Sequence, residues 1–293
     1  MKSGRSRAVL VTGCSSGIGR ATAGLLSRSG WTVYATARRP ETLTGLEELG
    51  CRVLQLDVTD DVSMRAAVDA VEQEHGAVGV LVNNAGFSQS GAVEAVSPDQ
   101  ARRQFETNVF GPARLCQLVL PGMRAQGWGK IVNIGAMGGR LTFPGGGYYH
   151  ATKYALEALS DALRFEVAGF GIDVVLLEPG FIRTGFSDTA ASSVGGPDTG
   201  SDAEATDPYR AFTAGVLAST RDVYERGTMA RLGGTPDDVA RVVLEAITAS
   251  RPKARYPVTA SARVLRGLRV LLPDRAWDAF LSRQFVRPGG GGG

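Results

Sequence analysis

The 293-residue sequence predicts an α/β fold, a doubly wound parallel sheet of about seven strands in a single domain spanning residues 1–293. Three observations carry this. The run Ala8 to Val11 is short and apolar, breaks at Gly13, and gives way to a helical pattern near Gly17 with Ile18, Ala21, Leu25 and Leu26 on one side. Similar apolar runs alternate with helical stretches along the chain, the pattern of right-handed βαβ units. A hydrophobic content of 43% and a charged content of 21% are globular values, and the length suits one large domain.

The elements follow in order. Gly30 stops the first helix, and Trp31 to Ala35 reads as the second strand. Arg52 to Leu56 is the third, followed by Asp57-Val58 and a helix from Asp61 to Glu74. Asp57 is placed to act as an N-cap or turn residue before that helix. Val78 to Val82 is the fourth strand. Ser97-Pro98 opens a helical stretch to about Leu120, with Pro112 as its kink. Asn108 inside it is a poor helix former, and its residue-level reading is a local partner for that kink. Lys130 to Ile134 is the fifth strand, and a glycine-rich loop runs from Gly135 to Gly147. The helix Tyr148 to Val167 precedes the sixth strand, Ile172 to Leu177.

From Phe181 to about Tyr209 the composition turns to Ser, Thr, Gly, Asp and Ala. Such a length predicts a mobile lid or a partly disordered loop inside a substrate segment of about 181–232, with Ser187 to Asp207 ordering on substrate binding if it is a lid. Helical stretches at Arg210 to Tyr224 and Pro236 to Ala249 lead to a seventh strand, Ala254 to Val258. The end, Ala262 to Phe285, is rich in Leu, Val and Arg and carries Trp277, Phe280 and Phe285. It reads as a helical extension, about 262–286, packed on its own domain. A pocket cover, a dimer contact and a membrane-surface contact stay open for it.

The net charge of +3 is small and the arginines are scattered, which argues against nucleic acid as a partner. Cys14, Cys51 and Cys116 match neither a disulfide framework nor a zinc spacing, so no metal and a reducing cytoplasm are expected. The apolar run behind Lys2, Arg5 and Arg7 is too short for a signal peptide. No stretch approaches about 18 apolar residues, so no transmembrane segment is expected.

Four short motifs stand in order: Thr12-Gly13, Gly17 and Gly19, spaced TGxxxGxG; Asn83-Asn84-Ala85-Gly86; Tyr149 and Lys153, spaced YxxxK; and Pro179-Gly180. On these residues, over 7 to about 185, the chain resembles the short-chain dehydrogenase/reductase family. TGCSSGIG and LEPG are similar to its hydroxysteroid and retinol dehydrogenase branch. The resemblance implies a Rossmann-type sheet of order 3-2-1-4-5-6-7, a nicotinamide cofactor, a small-molecule substrate, and a homodimer or homotetramer.

The expected cofactor site starts at Gly13, Ser15, Ser16, Gly17, Ile18 and Gly19. There glycines admit an anion to the backbone, and a helix N-terminus offers free N–H groups and partial positive charge. The glycines alone would equally suit a purely steric turn. By resemblance Asp57, with Val58, meets the adenine. Asn83, Ala85 and Gly86 lie at the C-terminal end of a strand, where open α/β sheets bind ligands. A tie between strands is the other reading of Asn83. Pro179, Gly180, Ile182 and Thr184 complete the set. Arg38 and Arg39 follow the second strand with no acid nearby, which suits a 2′-phosphate and predicts NADP(H). Two solvated arginines are the alternative.

Tyr149 and Lys153 are four apart on a helix and share a face. An ammonium beside a phenol favours the phenolate, giving a usable proton donor and acceptor near neutral pH. Lys153 is also expected to hold the cofactor ribose. By resemblance Asn108 holds a water for proton relay. One catalytic position departs from the family: the serine thirteen residues before the tyrosine is Ala136 here, which offers no hydroxyl. Neither His75 nor His150 is a sequence-level substitute, although His150 is a candidate pocket residue. Ala136, Met137, Phe143, Tyr148, Phe87 and Phe186 are the expected substrate pocket. They suit an apolar ring-bearing ketone or alcohol turned over by an NADP(H)-dependent carbonyl reductase or alcohol dehydrogenase. The missing hydroxyl keeps two alternatives open: a non-redox cyclase, dehydratase or epimerase on the same scaffold, and a non-catalytic binding or assembly protein.

Overall fold

The computed structural model describes residues 5–185, 208–225 and 230–288. The expected lid Ser187–Asp207 and the pocket candidate Phe186 lie outside the described residues. Seven strands form one sheet: β1 (Ala8–Val11), β2 (Thr32–Ala37), β3 (Arg52–Gln55), β4 (Val80–Asn83), β5 (Gly129–Ile134), β6 (Ile172–Glu178) and β7 (Arg255–Pro257). They lie in the order β3-β2-β1-β4-β5-β6-β7 with every neighbouring pair parallel, as expected. The helices are α1 (Gly17–Arg28), α2 (Asp61–His75), α3 (Pro98–Phe105), α4 (Gly111–Gln126), α5 (Gly147–Val167), α6 (Arg210–Glu225), α7 (Pro236–Thr248), α8 (Ala260–Leu271) and α9 (Asp274–Leu281).

The continuous apolar runs follow from burial on both faces. Val9 and Val11 of β1 point to one side and pack with Leu26 of α1 and Val243 of α7. Ala8 and Leu10 point to the other and pack with Val68 of α2 and Val119 of α4. A third cluster lies beyond the C-terminal ends of the strands. There Met137, Leu141 and Phe181 meet Leu265 of α8 with Trp277 and Leu281 of α9. The Ala262–Phe285 stretch is therefore two helices, broken at Leu272-Pro273, and it packs on its own domain.

Three boundaries differ from expectation for local reasons. β2 runs to Ala37, so Arg38 leaves directly from the strand end. Trp31 precedes the strand and stacks beneath the Arg7 guanidinium, 4.7 Å from the ring centroid. The winding of the Pro98–Leu120 stretch changes one turn before Pro112, into a π turn, Glu106–Phe110, and Pro112 lies in the first turn of α4. The N-cap of α2 is Asp60, which accepts from the Val62 N–H at 2.9 Å. Asp57 forms a turn instead, its Oδ1 accepting from the N–H and hydroxyl of Thr59 at 2.9 and 2.7 Å. Among the described residues, no helix is long and apolar enough to cross a membrane.

Candidate active site

β1 pairs with β2 on one side and β4 on the other, so chain order reverses at β1 and a crevice opens above its C-terminal end. The glycine loop fills the floor of that crevice. Gly13 has φ +71°, and a Cβ there would lie 2.9 Å from the Ala85 Cα. A Cβ at Gly19 would collide with the Gly13 carbonyl oxygen and the Asn84 amide nitrogen. Both glycines are demanded by close approach. α1 carries no acidic residue in its first turn and Ser16 makes no side-chain cap. Its N-terminal N–H groups and partial positive charge thus face the crevice uncompensated. These features fit a phosphate-bearing cofactor.

The partners of the loop come from β4 and from the chain after β6. Thr12 Oγ1 accepts from the N–H groups of Asn84 and Ala85, both at 3.0 Å. The Asn84 amide donates to the carbonyls of Thr12 and Gly13 at 2.9 and 3.0 Å. Thr12 and Asn84 were missed as site residues because only the folded pairing of β1 with β4 joins them. Asn83 turns the other way. It is buried and donates to Asn133 Oδ1 at 2.9 Å, so its side chain ties β4 to β5 rather than lining the crevice. Val58 and Ile182 likewise place their side chains in the core. Thr184 lies against the glycine loop, its Cγ2 3.3 Å from where a Gly17 Cβ would sit. Arg38 and Arg39 are exposed beside the crevice, with no ion-pair partner among the described residues.

The π turn places Asn108 under α5. Its Oδ1 accepts from the Phe87 N–H at 3.1 Å. Its amide donates to the Phe87 carbonyl at 2.9 Å and to Thr152 Oγ1 at 3.1 Å. Asn108 is therefore a clamp between the loop after β4 and the helix bearing Tyr149, not a local kink partner. Lys153 is buried, donates from Nζ to the Ile134 carbonyl at 2.9 Å, and lies 5.8 Å from the Tyr149 ring centroid. Burial pushes its ammonium down to about 8.

Tyr149 borders a largely apolar cavity. Ala136, Met137 and Phe143 line one side, and Leu265, Phe280 and Phe285 close the other. Pro179 and Gly180 also reach its wall. Two expected pocket residues are absent from the lining. Phe87 is held away by its backbone bonds to Asn108 and packs under Arg103, and Tyr148 points elsewhere around α5. Ser88, Ser90 and the α6 residue Val216 stand in the wall instead. His150 also lines the cavity, yet both its nitrogens are engaged. Nε2 accepts from the Phe143 N–H at 3.1 Å, so Nδ1 carries the proton and donates to the Gly138 carbonyl at 3.0 Å. Burial pushes its pKa down to about 4, which keeps the ring neutral. His75 lies at the end of α2, 2.9 Å from the Tyr34 hydroxyl and outside the crevice.

A family model described as short chain dehydrogenase matches residues 7–194. The chain belongs to that family. Within it, the chain is 34% identical over 281 residues to the NADPH-dependent 3-dehydrocapnine reductase of Ornithobacterium rhinotracheale, covering 93% of this chain and 95% of that one. It is 35% identical over 286 residues to human 17-beta-hydroxysteroid dehydrogenase type 1, covering 94% and 83%. A solved short-chain dehydrogenase from Streptomyces avermitilis superposes with a TM-score of 0.76 at 35% identity, covering 95% of this chain and 96% of that one. The protein is thus a short-chain dehydrogenase-type oxidoreductase, and the family's fold takes a nicotinamide cofactor.

Proposed function

We propose that this short-chain dehydrogenase is an NADP(H)-dependent carbonyl reductase or alcohol dehydrogenase for an apolar, ring-bearing ketone or alcohol. The observation that carries the reading is Tyr149 at the border of an apolar cavity with Lys153 beside its ring. A bound nicotinamide supplies or takes up the hydride. Gly13, Ser15, Ser16, Gly17, Ile18 and Gly19 hold the phosphates, and Thr184 closes on them. Arg38 and Arg39 pair with the 2′-phosphate. Tyr149 gives its phenolic proton to the substrate oxygen. Lys153 stays cationic below about 8, which favours the phenolate left behind. Asn108 fixes the helix that carries both and, in this reading, holds the proton-relay water. Phe143, Phe280 and Phe285 exclude water around the ring.

The relatives' names agree with this reading in two respects, an NADPH-dependent reductase and a dehydrogenase of a steroid alcohol. One observation favours a second reading, a non-redox enzyme: the cavity wall has Ala136 where a hydroxyl would polarise a carbonyl. The test is calorimetric binding of NADPH followed by its consumption against a panel of apolar ring ketones. Binding without consumption of any member sinks the reductase reading and leaves the non-redox enzyme and the non-catalytic binding protein.

A further inference from the structure

Behind the pocket lies a buried charged cluster with no part in the chemistry above. Glu157 is on α5, one turn beyond Lys153, and Glu178 is the last residue of β6, just before Pro179-Gly180. Glu178 is fully buried and Glu157 is 6% exposed. Each carboxylate commits one oxygen to arginine. Glu157 Oε2 takes Arg140 Nη2 and Arg255 Nε, both at 3.0 Å. Glu178 Oε2 takes Arg266 Nη1. The other oxygens are orphaned. Glu157 Oε1 and Glu178 Oε1 are both buried without a hydrogen-bond partner, as is Arg140 Nε. Glu178 Oε1 is 3.6 Å from Arg140 Nε and from Arg255 Nε, too far for a hydrogen bond.

Glu157 and Glu178 interact through their side chains, and if both were ionised they would present only acceptors to each other. A proton held by Glu157 lets it donate to Glu178, which two ionised carboxylates could not do. We propose that Glu157 holds a proton and donates it to Glu178, and that this proton seats the C-terminal cover of the pocket on the helix carrying Tyr149 and Lys153. The connection runs through named side chains. Arg266 belongs to α8, whose Leu265 lines the cavity. Arg140 follows the Met137–Gly139 turn of the opposite wall. Arg255 starts β7 and also pairs with Asp161 of α5, which holds Arg164. These are the charged groups facing the pair from the neighbouring elements. Burial and the facing Glu178 push Glu157 up to about 7, in keeping with a held proton. The inference concerns the same pocket as the proposed reaction, but its test needs no turnover.

The test is thermal unfolding of the full chain from about pH 5 to about pH 9, with hydrogen exchange across Ala260–Leu271. The unfolded carboxyl titrates near 4.5 and the folded one near 7. Stability contributed by the proton is therefore present at low pH and lost as pH rises between those values. The melting temperature should fall by roughly 2–4 °C across that window, with protection of Ala260–Leu271 falling in parallel. Glu157→Gln keeps the shape and donates a hydrogen at every pH. It should remove both slopes and melt above the unmodified protein beyond about pH 7. Glu178→Gln, tested the same way, should do likewise. If both variants keep the original slopes, or neither folds, there is no such proton and the proposal is overturned.

Discussion

Lys153 Nζ donates to the Ile134 carbonyl at 2.9 Å while lying 5.8 Å from the centre of the Tyr149 ring. The last residue of β5 thus anchors the cation that adjusts the phenol. Because burial brings Lys153 down to about 8, its charge is present below that pH and lost above it. The rate of ketone reduction should therefore decline above about 8, approaching roughly tenfold per pH unit. Lys153→Met should abolish this limb with most of the activity, and it leaves the Ile134 carbonyl unpaired at a cost of about 1–3 kcal/mol. A flat rate from pH 7 to 10 in the unmodified enzyme would dismiss the role of Lys153.

Ala136 lines the cavity beside Tyr149. Negative charge develops on the substrate oxygen as hydride arrives, and loss of one of two donors typically costs about 10²–10³ in rate. Ala136→Ser should raise kcat for ketone reduction by up to that factor with little change in NADPH affinity. Tyr149→Phe should abolish reduction. NADPH consumption by the three proteins on one ketone panel measures this. Failure of Ala136→Ser to increase any rate would favour non-redox chemistry.

Arg38 and Arg39 stand exposed just beyond β2, with no carboxylate pairing them among the described residues. NADPH should bind more tightly than NADH. Arg38→Asp should reverse the order by setting a carboxylate against the 2′-phosphate. Equal calorimetric affinities for both cofactors in the unmodified protein would refute the assignment.

Gly19 offers a sharper probe of the crevice. A methyl group there meets the Gly13 carbonyl and the Asn84 amide, so the loop must move to admit it. Gly19→Ala should lower NADPH affinity more than tenfold while Gly30→Ala, which strains a positive φ with open space around it, leaves affinity intact and only destabilises. Equal losses of affinity in the two variants would show that backbone strain, not crevice shape, governs binding.

What the sequence disclosed was local. The strand–turn–helix from Ala8 and the Tyr149–Lys153 face each depend on residues close together in the chain, and both stand where periodicity and spacing put them. The features it hid depend on distant partners. Asn108 read as a helix defect because Phe87 and Thr152, its hydrogen-bond partners, are 21 and 44 residues away. Phe280 and Phe285 stood out as aromatics, but their place in the wall is set by α8 and α9 packing against Met137 and Phe181. Tyr148 shows the converse error. Its direction, about 100° around the helix from Tyr149, suggested the pocket, yet Tyr148 is absent from the lining.

Two parts of the cavity wall are under very different constraint. Ala136 follows β5 by two residues, and Tyr149 stands on α5, whose Lys153 is bonded to the Ile134 carbonyl at the end of β5. Phe280, Gln284 and Phe285 come from the last turn of α9 and the few residues after it, which carry none of the sheet's hydrogen bonds. On the proposed function, reactivity and selectivity belong to separate parts of the polypeptide. Recombining this tail between homologues should exchange the accepted molecules while the proton-transfer apparatus is inherited unchanged, a division of labour that lets one scaffold diversify by its ending.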